Sequence, residues 1–345
     1  MLAMHRASTM HSPITGGPAM IDRRTFLSTL AALAAPGIAR GADGPASGYP
    51  DKPVHLIVMN APGTATDNLA RFVASHMARQ WGSPVVVENK LGGGGTIGTN
   101  YVAKAPADGA TVLFTNAAHY IFPSLYRNLP YDAAADFTPV AKVGHTPSLL
   151  LLPADSPYAT VRDVIAAAKA HPGKLSFSSS GTGASPHLAG ALFNSMAGVD
   201  IQHVPYKSAA QAILDVASKQ VDMGFNGVTG PLPLIRDGRI RALAVTSPKR
   251  SRLLPDVPTI AEAALPGYAI ETAVFALVRA GTPEPVVRKL ADAMTAAARS
   301  AEFNELCAAN GIDIDIVGPA GMKAAMPGEF AKYQKLVALA GIKAE

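Results

Sequence analysis

Residues 56–71 read LIVMNAPGTATDNLAR, an order that indicates a buried strand, a loop of small residues and the start of a helix. The apolar run from Val54 to Met59 follows Pro53, as is typical of a strand covered on both faces. Apolar residues recur at helical spacing from Asp67 onward. A loop in this place leaves the first N–H groups of the helix uncovered at the positive end of its dipole. Such a place binds an anion without a charged side chain.

The same order of apolar run, small-residue loop and helix recurs three more times. The three stretches are VVVENKLGGGGTIGTN (85–100), LSFSSSGTGASPHLAG (175–190) and VDMGFNGVTGPLPLI (221–235). No obvious catalytic group accompanies the four loops. The pattern therefore predicts a protein that holds a small anion rather than one that transforms it.

Strand and helix patterns alternate through most of the chain, which predicts an α/β fold with parallel sheets. Two segments, 138–152 and 273–281, look like crossings between two domains, and helices alone are expected after the second crossing. We therefore predict one domain of residues 49–143 plus 277–345 and a second domain of residues 144–276. Two crossings form a hinge, which typically closes around a ligand.

Residues 1–48 are expected to be an export signal and a linker. Arg23 and Arg24 precede a short apolar stretch, residues 30–35, and small residues follow. This order resembles a twin-arginine signal, and the apolar stretch is too short to cross a membrane. We expect cleavage between Ala39 and Ala46 and a periplasmic protein.

Composition narrows the function further. Hydrophobic residues make up 48% of the chain and charged residues 16%, which is typical of a compact globular protein. Residues 1–42 hold four of the 30 basic residues and one of the 25 acidic residues, so the remainder has a net charge of about +2. No basic run interleaved with aromatic residues remains, so nucleic-acid binding has no support. The single cysteine, Cys307, is expected to be a buried apolar residue.

Enzymatic readings of the motifs are weaker than the binding one. Residues 93–98 satisfy the G-x-G-x-x-G pattern, but these glycines follow the second predicted strand, whereas the dinucleotide fingerprint follows the first. His119, His145 and His203 stand singly, without metal-ligand spacing. We expect no metal, no cofactor and no catalytic residue, and an exported dinucleotide-dependent oxidoreductase stays as the alternative from another class.

Taken in order, many segments resemble the Bug-type substrate-binding proteins of tripartite tricarboxylate transporters. They include YPDKPV (49–54), VVVENK (85–90) with the glycines to 98, LPYD (129–132), DFTPV (136–140), SSGTG (179–183), HLAG (187–190), HVPYK (203–207), RALAVT (241–246) and LPDVPT (254–259). The resemblance implies a two-domain periplasmic-binding-protein (Venus flytrap) fold, in which each domain is a mostly parallel sheet flanked by helices. It also implies a monomer that closes on a small organic mono- or dicarboxylate.

The resemblance places the ligand between loops of the two domains. In the first domain the loops 61–67 and 93–96 would hold one carboxylate through backbone amides. In the second domain the loops 179–185 and 206–207 would set selectivity. The ligand-binding residues predicted in this way are Pro62, Gly63, Thr64, Ala65, Asp67, Gly94, Gly95, Thr96, Ser179, Ser180, Thr182, Ser185, His187, Tyr206, Lys207 and Asn226.

Two residues have competing interpretations. Asp67 is most simply a residue at a helix start, with bracing of the 62–64 loop as the second interpretation. Thr64 replaces a glycine of the family pattern and is expected either to narrow the pocket or to supply a hydroxyl. The partner is equally open, because a receptor of this kind serves either transporter subunits in the membrane or a sensor protein.

Overall fold

The computed structural model describes residues 48–343 of the 345-residue chain, and the predicted signal lies outside them. The strands are β1 (Val54–Val58), β2 (Val85–Asn89), β3 (Thr111–Asn116), β4 (Phe137–Pro153), β5 (Ser176–Ser179), β6 (Gln202–Pro205), β7 (Met223–Gly227), β8 (Ile240–Val245), β9 (Glu271–Arg279) and β10 (Asp313–Val317). The helices are α1 (Ala65–Trp81), α2 (Thr96–Ala103), α3 (Ala118–Leu125), α4 (Val161–Ala170), α5 (Ser185–Ala197), α6 (Ala209–Ala217), α7 (Leu232–Arg236), α8 (Ile260–Ala263), α9 (Glu284–Ala298), α10 (Ala301–Asn310) and α11 (Pro319–Leu339).

The C-terminal part differs from the sequence-based prediction. Helices alone were expected after β9, and this is wrong because β10 pairs antiparallel with β4. The alternation of Asp and Ile in β10 has the period of a strand, although Asp is uncommon in strands. Here both acidic residues have partners: Asp313 accepts from the Arg252 amide at 3.1 Å, and Asp315 lies 2.6 Å from Lys142 Nζ. The crossing expected as two apolar runs is also a single strand of 17 residues, β4.

The strands form a mixed sheet in the order β2-β1-β3-β9-β4-β7-β5-β6, and β8 and β10 also pair with β4. At one end β1, β2 and β3 are mutually parallel, and we call them the first parallel group. At the other end β5, β6 and β7 are mutually parallel and form the second parallel group. The antiparallel strands β4 and β9 join the two groups.

The carboxyl ends of the two groups face each other along β4. Strand β3 is antiparallel to β9, which is antiparallel to β4, so the first group runs in the direction of β4. The second group runs against β4, because β7 is antiparallel to it. The last residue of the first group, Asn116, lies level with Gly144 of β4, and the last residue of the second, Gly227, lies opposite Ser148. Four strand residues span about 13 Å, which is enough room for a small molecule.

Helices follow the parallel strands, and the loops between each strand and its helix lie at this junction. Helix α1 begins after Thr64, whose side chain accepts from the Asp67 amide, and is followed by the capping residue Gly82, where φ is 63°. Leu69, Val73 and Met77 are wholly buried on one face of α1, and each contributes about 1.5–3 kcal/mol by leaving water. Within residues 48–343 no helix is long and apolar enough to span a bilayer.

Candidate functional site

The loop between β1 and α1 is shaped by the buried side chain of Asp67. One carboxylate oxygen accepts from the Gly63 amide at 2.8 Å and from Arg71 Nε at 2.9 Å. The other accepts from Asn89 Nδ2 at 2.8 Å and from Arg71 Nη2 at 3.1 Å. Burial works against ionisation, but these bonds outweigh it and lower the pKa of Asp67 below its ordinary value. The carboxylate therefore braces the loop, as the second interpretation of Asp67 expected.

The hydroxyl of Thr64 is also committed to the loop. It donates to the Ala61 carbonyl at 2.8 Å and accepts from the Asp67 amide at 3.4 Å. The side chain acts as the N-cap of α1. Its proton is directed to the protein backbone, so the hydroxyl is not a spare donor for a ligand.

The second loop of the first parallel group is the glycine turn Gly93–Gly95 ahead of α2. Gly95 has φ 117°, a conformation that favours glycine, and it is buried. A Cβ at this position would lie 2.7 Å from Met59 Sδ and 3.0 Å from Phe122 Cζ. The missing side chain therefore faces the core, and the turn brings backbone rather than side chains to the junction.

Several backbone amides at these loops have no hydrogen-bond partner within residues 48–343. In the first parallel group they belong to Ala65, Thr66 and Gly94, and in the second to Thr182 and Ser185. Thr66 lies in the first turn of α1 and Ser185 in that of α5, where the helix dipole favours negative charge. Amides of this kind from facing loops form a cradle for an anion.

Three predicted residues lie level with one another across the second parallel group. The parallel register pairs Ser178 with Gly224 of β7 on one side and, one residue on, Ser179 with Pro205 of β6 on the other. Continuing that register by one or two residues places Ser180, Tyr206 and Asn226 level with one another at the carboxyl ends.

Two histidines support the loop between β5 and α5. Their rings, His187 and His203, stack with centroids 3.7 Å apart and an interplanar angle of 9°. His187 Nδ1 accepts from the Gly183 amide at 3.1 Å, and His203 Nε2 lies 2.7 Å from Ser179 Oγ. Burial, and then the neighbouring imidazole, lower the pKa of His203 to about 4, and burial lowers that of His187. Both rings are therefore neutral near pH 7, and the expectation that His203 stands alone is wrong.

The loop after β6 carries two polar side chains: Tyr206, which is hydrogen-bonded, and Lys207, which has no ion pair within the described residues. Tyr206 Oη donates to Asp215 Oδ2 at 2.7 Å, and burial followed by this carboxylate raises the pKa of Tyr206 to about 12. Lys207 is exposed and has no ion pair with any residue that the structure describes. It is the side-chain cation available at this edge of the second group.

Asn226 is the most unusual of the predicted residues. Its side chain is 1% exposed, and neither the amide nitrogen nor the amide oxygen has a partner in the described part of the chain. The loop that follows it leads into α7, which has five residues and begins after Pro231. A helix this short gathers little dipole, so the fourth predicted anion loop is the weakest.

Asparagines that were not among the predicted residues tie the first-group loops together. Asn89 Nδ2 also donates to the Asn60 carbonyl at 3.0 Å, and Asn116 Nδ2 lies 3.4 Å from Asn60 Oδ1. Arg71 adds a bond of 2.9 Å to Asn89 Oδ1. The three asparagines end or follow β1, β2 and β3, and an asparagine at the end of each strand pattern was the available signal.

A charged cluster lies where β4, β9 and β10 meet. His145, Glu271 and Asp315 come close enough together to hold a metal ion, contrary to the expectation that His145 stands alone. However, Lys142 Nζ lies 2.6 Å from Asp315 and 3.3 Å from Glu271, so an ammonium group already supplies the positive charge. A cavity of about 120 Å³ beside the cluster is lined by both Lys142 and Glu271. We assign the cluster to charge pairing between the crossing strands.

Comparison with known proteins places these features in a family. A family model described as the tripartite tricarboxylate transporter family receptor matches residues 69–336. A UPF0065 protein in the tcbD-tcbE intergenic region of Pseudomonas sp. (strain P51) is 37% identical over 95% of this chain and 97% of its own. Protein BugT of Bordetella pertussis is 32% identical over 86% of this chain and 91% of its own.

Solved structures agree with the sequence relatives. Rpa4515 of R. palustris with adipate has a TM-score of 0.71 and 34% identity, covering 86% of this chain and 100% of that one. MatC (Rpa3494) of Rhodopseudomonas palustris with bound malate has a TM-score of 0.66 and 29% identity. The match covers 84% of this chain and 100% of the MatC chain. The predicted fold class, a two-domain periplasmic-binding-protein fold, is confirmed, with antiparallel strands joining the two parallel groups.

Proposed function

The chain belongs to the tripartite tricarboxylate transporter receptor family, and we propose that it captures a small organic carboxylate between its two domains for such a transporter. The domains are residues 49–143 plus 277–345 and residues 144–276, joined by β4 and β9. The role is that of a receptor without catalysis. The N-terminal signal would deliver the chain to the periplasm, where the family's binding proteins act.

The observation that carries the proposal is the set of unpartnered amides at facing carboxyl ends. The loops 61–67 and 93–96 contain no Lys or Arg, so backbone amides and helix dipoles meet the first carboxylate. Hydrogen bonds to a charged acceptor contribute about 1.5–3 kcal/mol each, and a helix terminus adds about 0.3–1 kcal/mol. Four or five such contacts supply the ~8 kcal/mol of micromolar binding.

The predicted residues divide into those that would touch the ligand and those that would hold the loops. Ala65, Gly94, Thr182 and Ser185 offer amides, and Lys207 offers an exposed cation. Asp67 and Thr64 act through the shape of the first loop, whereas Ser179 and His187 act through the loop after β5. Pro62, Gly63, Gly95, Thr96 and Ser180 set the backbone positions between them.

Two relatives support a carboxylate as the ligand, since one structure holds adipate and another malate. A second receptor role, presentation of the same ligand to a sensor protein, uses the same cleft and differs only in the partner. The oxidoreductase alternative is less favoured, because the glycine turn follows β2 and no acidic residue of the fingerprint ends a following strand.

A thermal-shift panel tests the proposal directly. A ligand that binds only the native state raises the melting temperature. At a ligand concentration a hundredfold above Kd, the free energy of unfolding increases by about 2.7 kcal/mol. The panel comprises malate, succinate, adipate, citrate, benzoate and the nicotinamide dinucleotides. We expect at least one organic acid to raise Tm and the dinucleotides to leave it unchanged. A shift with dinucleotides alone would transfer the protein to the oxidoreductase class.

Closure is tested by small-angle scattering. A ligand that contacts both domains favours the conformation in which both contacts exist. We expect a smaller radius of gyration at saturating ligand than without it. An unchanged radius, with binding established by calorimetry, would argue against a hinge at β4 and β9.

A further inference from the structure

Asn226 leaves both halves of its amide unmet in the interior of the protein. Its nitrogen carries two donor hydrogens and its oxygen two acceptor lone pairs, and none of them has a partner within residues 48–343. Buried polar groups are almost always hydrogen-bonded, and an exception points to a missing partner. The partner here must supply a donor as well as an acceptor.

The surroundings of the amide are apolar on the side of α6. Asn226 lies directly opposite Leu149 of β4, so their side chains share a face of the sheet. On the same face, a Cβ on Gly224 would lie 2.7 Å from Ser178 Oγ, 2.9 Å from Val216 of α6 and 3.4 Å from Asn226 Nδ2. The Ser178 hydroxyl already donates to the Ala212 carbonyl at 3.0 Å. Leu149 and Val216 belong to one buried apolar cluster. No side chain of this cluster can satisfy the amide.

The position of Asn226 near the end of β7 places it beside the junction between the parallel groups. Asn226 is the penultimate residue of β7 and lies level with Ser180 at the carboxyl ends. The same end of the group carries the free amides of Thr182 and Ser185. A ligand held between the domains would approach Asn226 while they are apart and would be enclosed with it on closure.

We propose that the ligand carries a hydroxyl or carboxamide group besides its carboxylate, and that Asn226 binds this group and selects for it. The inference rests on the proposed function and names the class of carboxylate. A hydroxyl accepts from Nδ2 and donates to Oδ1, and a carboxamide does the same with two separate atoms. An ionised second carboxylate only accepts, and an ammonium only donates, so each leaves one half of the amide unmet.

The test uses pairs of acids that differ only in this group. Malate is compared with succinate, and succinamate with succinate, by calorimetry on the full mature chain. Asn226→Leu keeps the shape of the side chain and removes both polar atoms. Asn194→Leu is the control, because Asn194 is a half-buried asparagine of the same domain whose Nδ2 donates to the Ile201 carbonyl at 2.8 Å, away from the junction. Apo melting curves establish that each variant is folded.

We expect the wild type to bind malate or succinamate at least tenfold more tightly than succinate. In Asn226→Leu the two members of each pair bind within about twofold of each other, whereas Asn194→Leu keeps the preference. Equal binding within both pairs by the wild type, or an unchanged preference in Asn226→Leu, overturns the inference and leaves the carboxylate receptor intact. If no acid of the wider panel binds at all, the proposed function fails, and this inference fails with it.

Discussion

The two sets of loops at the junction present different chemical groups: backbone amides in the first parallel group and polar side chains in the second. Around β1, β2 and β3 the charged and amide side chains turn inward and bind each other, as Asp67, Arg71 and Asn89 do. These loops present backbone N–H groups to the junction. Around β5, β6 and β7 the side chains of Lys207 and Asn226 lack partners among the described residues.

This difference indicates a division of labour. Backbone amides recognise a carboxylate whatever chain it is attached to, because every carboxylate offers the same oxygens. Side chains at fixed positions discriminate among the remaining parts of a ligand. The first group would therefore give affinity for the class, and the second group would give selectivity within it.

The largest effect is expected from Gly95→Val, which attacks the first group at its backbone. The φ of 117° is strained for any side chain, and the new Cβ would lie within 3.0 Å of Met59 and Phe122. We expect a loss of at least a hundredfold in carboxylate affinity and a lower Tm. Gly238→Val is the matched control, since Gly238 also has a positive φ but is exposed, has open space around its Cβ and lies outside the junction loops. Calorimetry that finds the affinity of Gly95→Val unchanged would remove the glycine turn from the site.

Asp67→Asn is expected to rank second. It replaces a charged acceptor of four hydrogen bonds by a neutral amide and leaves Arg71 without its ion pair. Hydrogen bonds to a charged group contribute about 1.5–3 kcal/mol each, but Arg71 is half exposed and water screens its share. We expect a ten- to hundredfold loss of affinity through the displaced loop. Asp163→Asn is the control, because Asp163 also occupies the first turn of a helix but is exposed and remote from the junction. If Asp67→Asn bound the carboxylate with full affinity, the hydrogen bonds of Asp67 would not be needed for binding.

Acid is expected to weaken the second group, in which His187 and His203 support the loop after β5. The pKa of His203 is about 4 in the folded protein and about 6.5 when unfolded. The neutral ring is favoured by folding, so its contribution is complete above pH 6.5 and is lost as pH falls from 6.5 toward 4. At pH 5 this loss is on the order of 1–2 kcal/mol.

Thermal melts at pH 7 and pH 5 measure the effect. We expect His203→Gln to have a smaller drop in Tm between the two pH values than the wild type. His171→Gln, at an exposed position outside the junction, serves as the control. An equal drop in all three proteins would assign the acid sensitivity to other groups, such as the buried His119, whose pKa burial also lowers to about 4.

How far the sequence leads can be judged from particular elements. Helices α1, α2 and α5 follow the small-residue loops as the sequence predicts, because the loops and the apolar spacing mark them locally. Strand β10 escaped prediction because its two Asp residues depend on Lys142 and Arg252, which are distant in the chain. The fourth predicted loop is also followed by a helix, α7, but this helix has only five residues.

The candidate site shows the same limit. The positions of its loops follow from the order of strand, loop and helix, since carboxyl ends of parallel strands meet at one edge. Which side chains turn inward does not, because it depends on pairings such as Asn89 with Asp67 or His187 with His203. For that reason Asp67 and Thr64 were predicted to bind the ligand, whereas in the structure their polar atoms bond to their own loop.

The smallest effect is expected from Lys207→Ala, and it measures how much of the affinity side-chain charge supplies. Lys207 is exposed and without an ion pair in the described chain, so water and salt screen its attraction for a carboxylate. An exposed charge pair is worth about 0.2–1 kcal/mol, which corresponds to a loss of about fivefold or less. The loss is expected to shrink further as salt rises from 50 mM toward 500 mM. Lys174→Ala is the control, because Lys174 is exposed and precedes the start of β5, at the end away from the junction. This variant is expected to bind normally. If Lys207→Ala instead lost all affinity while Gly95→Val bound normally, recognition would depend on side-chain charge from the second group, and the division of labour would be reversed.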